Sequence, residues 1–105
     1  MFRVYDDALA MVRELRGTVD AIERKDADLG RQMRRAMSSV VLNTAEGNGS
    51  RGRNRGARFH TALGSMRETR ACLDTAAAFG YVGAPEDSVA RLIDGICGSL
   101  YRLST

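Results

Sequence analysis

The stretch YDDALAMVRELRGTVDAIER, residues 5–24, decides the fold class. Tyr5, Ala8, Val12, Leu15, Val19 and Ile22 recur at intervals of three and four, which sets them along one side of a helix. Asp6 and Asp7 fall in the first turn, where carboxylates meet the positive end of the helix dipole, and Arg24 and Lys25 fall at the opposite end, where cations are favoured. Leu9 and Met11 are apolar but lie off this stripe, which predicts a second contact surface of the kind an oligomer uses.

The same period continues along the chain. Lys25 to Asp28 reads as a short connection, with Asp28 as the cap of the next helix, which runs to about Glu46. Leu29, Met33, Ala36, Val40 and Asn43 form its face, widened by Met37, Val41 and Thr44, and Gly47 supplies the stop. Residues 47–56 contain no apolar side chain and read as a Gly/Arg loop. A third helix runs to about Phe79 on Phe59, Ala62, Leu63, Met66, Leu73, Ala76 and Ala77, with Gly80 as its cap. A fourth begins near Glu86 on Val89, Leu92, Ile93, Ile96, Leu100 and Leu103. Four amphipathic helices with short connections must run antiparallel to their neighbours, so the expected fold is all-α, an up-down-up-down four-helix bundle formed by a single domain, 1–105.

Composition agrees. A chain of 105 residues has room for one domain, and with 6% aromatic residues and no Trp its core must be built from Leu, Val, Ile, Met and Ala. The single proline, Pro85, suits long helices. A core this small contributes little stability by itself, a second reason to expect a homo-oligomer. No apolar run approaches the ~20 residues of a membrane span, and Arg3, Asp6 and Asp7 interrupt any leader-like start. The expectation is a cytoplasmic protein without membrane association.

Charge is distributed unevenly. Residues 31–58 hold seven Arg against one acid, Glu46, for a net +6, whereas the remaining residues sum to −3. Arg31, Arg34 and Arg35 precede the Gly-rich segment, and Arg51, Arg53, Arg55 and Arg58 lie in or just after it. Guanidinium groups make bidentate contacts to phosphate, and glycine lets a backbone approach closely, so this cluster reads as a surface for a polyanion, nucleic acid first. The competing reading is a solubilising loop. No aromatic residue interleaves the arginines, so contact would be to the backbone rather than to bases. Arg35, Ser39, Asn43 and Glu46 share another line of the second helix, read either as solvated surface or as a partly buried network fixing register or a subunit contact.

Nothing in the sequence assembles a reaction centre. His60 is the only histidine, so no histidine pair offers itself to a metal. Cys72 and Cys97 sit among apolar residues without metal-ligand spacing and read as buried thiols. Ser38 and Ser39 have no base at hand, and no Gly-Lys-Ser/Thr follows the glycines. A non-enzymatic protein with no cofactor and no metal is expected.

The run Met33-Arg-Arg-Ala-Met-Ser-Ser-Val-Val-Leu-Asn-Thr-Ala-Glu-Gly47 resembles the signature of the bacterial four helix bundle protein family, matching at Arg34, Arg35, Ala36, Ser39, Asn43, Ala45, Glu46 and Gly47. A second block, Arg58 to Glu68, resembles that family's Phe, Ala-Leu-Gly-Ser and Glu pattern, and Phe79-Gly-Tyr81 resembles its usual end of helix three. Thr44 stands where the family usually has Ile, and Thr69-Arg70 where it has Leu-Glu. The family includes proteins encoded by intervening sequences of 23S rRNA genes and the accessory variability determinant of diversity-generating retroelements. The resemblance implies a homopentamer with a basic surface, binding to RNA or DNA and, in the retroelement case, to a reverse transcriptase. The alternative is a protein-interaction scaffold that turns the same arginines toward an acidic protein.

Overall fold

A computed structural model describes residues 2–105, and helices are the only regular elements among them. They are α1 (Arg3–Lys25), α2 (Ala27–Gly49), α3 (Gly52–Ala78) and α4 (Asp87–Leu103). The connections are Asp26 alone, Ser50–Arg51, and the segment 79–86, so each helix reverses direction on its predecessor. Every helix packs on its neighbours in sequence, α1 closes against α4, and the α2–α3 contact is the most extensive. This is the expected up-down-up-down bundle.

The core runs through all four helices as a single cluster. On α1 the fully covered residues are Val4, Ala8, Met11, Leu15, Val19 and Ile22. This adjusts the sequence reading: Val4 and Met11 are fully covered, whereas Tyr5 is half-buried and Val12 packs against the core only partly buried. The spacing 4-3-4-4-3 follows the seam of packed helices more closely, and Met11 belongs to the chain's own core instead of a second surface. On α3 the buried set also takes in Thr69 and Cys72.

Three chain reversals have distinct chemical causes. At the first, the carboxylate of Asp26, not Asp28, accepts a hydrogen bond from the backbone N–H of Leu29 at 3.0 Å and caps α2. Asp28 instead pairs with Arg31 one turn on. At the end of α3, Gly80 takes φ +77°, and the N–H groups of Gly80 and Tyr81 donate to the carbonyls of Ala77 and Ala76. That is the Schellman arrangement predicted from Gly80, with Tyr81 folding back on the helix end.

The second reversal departs from expectation. Residues 47–49 continue α2 and residues 52–56 already belong to α3, so the predicted ten-residue loop shrinks to Ser50 and Arg51. Gly47 is no stop signal. It is buried, and a Cβ there would lie 2.7–2.9 Å from three ring atoms of Phe59, so the absence of a side chain is what lets α2 and α3 approach. Gly52, at φ +62°, supplies the left-handed step that starts α3 directly after the turn. Each helical glycine costs up to ~1 kcal/mol relative to alanine. Burial of Phe59, with no exposed surface, offsets that cost.

Thr44 is the one buried side-chain polar group without a hydrogen-bond partner among the described residues. Its hydroxyl sits fully enclosed in the core. An unsatisfied buried hydroxyl costs about 1–3 kcal/mol. Thr44→Val keeps the shape and removes the hydroxyl. It is expected to stabilise the bundle by about 1 kcal/mol, raising Tm by about 4–8 °C in a calorimetric scan.

Candidate nucleic-acid interface

The seven arginines of residues 31–58 do not form one patch. Arg31, Arg34 and Arg35 stand on the first half of α2, and the other four gather at the α2–α3 corner. Arg35 and the last residue of α2 are separated by fourteen positions, or ~21 Å of helix.

Partners divide them further. Arg34 lies across α1 and makes ion pairs with Asp20 and, at 2.6 Å, Glu23. The guanidinium donates hydrogen bonds to both carboxylates, which raises its pKa, and the two pairs fasten α2 on α1. Arg31 is paired with Asp28. Arg55 is half-buried, donates to the carbonyl of Gly47 at 3.2 Å and lies 4.9 Å over the Phe59 ring. It gives a second hydrogen bond to a helix-end carbonyl that already accepts from the Ser50 N–H, and its cation rests on an aromatic face. Arg35, Arg51, Arg53 and Arg58 are exposed and have neither a carboxylate nor any other side-chain partner among the described residues.

Local structure explains why the corner stays positive. Arg51 is the N-cap of α3 and makes no side-chain cap, and the first turn of α3 holds no acid. Each of the other three helices has an aspartate in its first turn: Asp6, Asp28 and Asp87. The free N–H groups of α3 and the guanidinium groups therefore project the same sign of charge.

The predicted polar stripe is split as well. Arg35 and Glu46 are exposed, whereas Ser39 and Asn43 are half-buried in the α2–α3 seam. The Ser39 and Ser65 hydroxyls are 2.6 Å apart across the two helices. The Asn43 amide donates to the Ser39 carbonyl and to its hydroxyl, each at 3.0 Å. The inner pair thus forms the register-fixing network and the outer pair is solvated. Arg70 finds Asp94 of α4 as an ion-pair partner.

Groups with potential reactivity are held apart. His60 is exposed on α3. Burial pushes the Cys72 thiol up, helped by Glu68, and burial likewise raises Cys97, so both stay protonated at neutral pH. No group of three His, Cys, Asp or Glu among the described residues is arranged to hold a metal ion. No helix among the described residues is long and apolar enough to cross a membrane.

Sequence reasoning missed two residues that the fold adds to this end of the bundle, Arg3 at the start of α1 and Arg102 at the end of α4. Parity of the helix order was the available signal: in an up-down-up-down bundle the second turn shares its end with the first residues of α1 and the last of α4.

A basic-cornered, tightly hairpinned four-helix bundle with a polar α2–α3 seam defines the class. The chain matches the model of the 23S rRNA-intervening sequence protein family over residues 1–101 and belongs to that family. No curated protein and no solved structure matches it.

The geometry gives Arg55 a structural role. Arg55→Ala removes the hydrogen bond to Gly47 and the contact with Phe59, and is expected to destabilise the fold by about 1–2 kcal/mol in urea unfolding. Arg53→Ala, at an exposed position nearby, is expected to change stability by less than about 0.5 kcal/mol.

Proposed function

We propose that this chain is a non-enzymatic, homo-oligomeric accessory protein that binds the phosphate backbone of nucleic acid at the α2–α3 corner. The observation that carries this reading is the set of exposed arginines there, Arg51, Arg53 and Arg58, left without carboxylate partners beside an uncapped, acid-free helix start. Unpaired surface cations held together against their own repulsion suit a polyanion. Arg35 is exposed but stands ~21 Å along α2 from the corner, and Arg31, Arg34 and Arg55 are engaged in holding the fold. The family's description, which names 23S rRNA intervening sequences, agrees with a nucleic-acid setting. The retroelement setting, with a reverse transcriptase as protein partner, rests on the resemblance of the α2 signature.

Fluorescence anisotropy with a labelled RNA duplex, repeated over a series of KCl concentrations, tests the reading. Each backbone contact contributes a slope of about 0.7–0.9 in log affinity against log salt, so the triple change Arg51→Gln, Arg53→Gln, Arg58→Gln is expected to flatten the slope by about 2–3. Absence of binding at low salt, or binding indifferent to salt, would sink the proposal. So would recovery of an acidic protein partner that survives nuclease treatment and competes with the RNA.

Assembly is part of the same proposal. Leu42 is 63% exposed on the outward line of α2 and Tyr101 59% exposed on α4, large apolar side chains on helices that already satisfy their own core. Such positions fit contacts with further copies. The resemblance of the α2 signature supports five copies. Light scattering at micromolar concentration is expected to return the mass of five chains, and a monomer there would refute assembly.

A further inference from the structure

We propose that the phosphate-binding surface is the entire bundle end at the α2–α3 corner, with Arg3 and Arg102 as two further contacts to a nucleic-acid backbone. This rests on the reading above and extends it to residues far from the arginine-rich stretch of sequence.

Two clefts open on that end. One, of 360 Å³, lies between the start of α3 and the last turn of α4, lined by Arg53, Arg55, Leu103 and Ser104 among others. The second, of 290 Å³, lies between the start of α1 and the end of α4, lined by Phe2, Arg3, Arg102 and Leu103 among others. Leu103 borders both, so the clefts form one continuous surface across three helices. Arg3 and Arg102 are exposed, and neither has a carboxylate within 4.0 Å among the described residues. The only hydrogen bond of the Arg102 guanidinium among the described residues goes to the Ser99 hydroxyl at 3.5 Å.

Charge is polarised along the bundle axis. Counting side chains within seven residues of each helix end and in the turns, this end holds six arginines against Asp6, Asp7 and Glu46, for +3, and the opposite end sums to −3. A surface of one sign facing a surface of the other orients a charged partner before contact. The arginines of this end are carried by three different helices of a molecule whose transverse extents are 25 × 19 Å. They suit a repeated array of charges, and duplex nucleic acid offers about one per 1.7 Å of axis. The fitting ligand is therefore a polymer backbone laid across the bundle end, not a free phosphate or a mononucleotide.

The test uses the labelled RNA duplex and the full chain. Arg3→Gln with Arg102→Gln is expected to flatten the salt dependence by about 1.4–1.8 in log–log slope. Arg24→Gln with Arg91→Gln removes the same charge from exposed sites at the opposite end and is expected to leave the slope unchanged. Thermal melting checks that both double variants remain folded. An equal effect of the two pairs would reduce the result to bulk charge and overturn the proposal, as would an unchanged slope in the first pair. If the wild-type chain binds and responds to Arg51, Arg53 and Arg58 but not to Arg3 and Arg102, only this extension fails. If the wild-type chain does not bind, the functional reading fails with it.

Discussion

The close approach of Gly47 to the Phe59 ring governs the arrangement of the molecule. Where α2 passes α3 there is no space for a Cβ, and the ring that takes its place has no exposed surface. Phe59 is held on its other sides by the Phe2 ring, 5.9 Å away centre to centre, and by the Arg55 guanidinium. Those contacts tie the start of α1, the end of α2 and the first turns of α3 into one knot. With the helices this close, two residues suffice to turn the chain, and the arginines that follow are fixed on a helix instead of dispersed over a loop. The geometry of the candidate interface is therefore a consequence of packing several ångströms beneath it.

Electrostatics then separates arginines that look equivalent in the sequence. A guanidinium facing a carboxylate on the neighbouring helix, as Arg34 faces Asp20 and Glu23, is a fastener. One that reaches a helix-end carbonyl and an aromatic face, as Arg55 does, is a brace. Surface ion pairs of the first kind contribute little stability individually, typically 0–1 kcal/mol, but they remove the charge from the set available to a ligand. The remainder, at the corner and on the adjoining helix ends, have no carboxylate partner within 4.0 Å among the described residues. The arginines that hold the fold are thus different from those proposed to meet a ligand.

Buried polarity in the bundle follows a similar division. Ser39, Asn43 and Ser65 satisfy each other across the α2–α3 seam, a contact available only in one register of the two helices. Thr69 donates to its own helix at the Ser65 carbonyl. Thr44 alone is enclosed without a partner. Its side chain has no exposed surface, so the hydroxyl is a cost that the rest of the fold carries.

The sequence by itself determined the four helices, their antiparallel order and the Gly80 cap, because each rests on interactions between residues within about five positions or on a period of 3.6; it left the polar line of α2 open between solvated surface and buried network, since the Ser39–Ser65 contact joins two helices. It also placed the basic cluster, as charge along a chain is directly countable. The inward set on α1 slipped by one residue at Val4 and Met11, since the choice between adjacent faces depends on what packs opposite. Local reading made a loop of residues 47–56, because glycine and arginine carry no apolar signal and the compensating burial of Phe59 comes from another helix. Which arginines are free, and that Arg3 and Arg102 join them, only the tertiary structure decided: pairing and shared surfaces are distances between elements, and no local pattern encodes them.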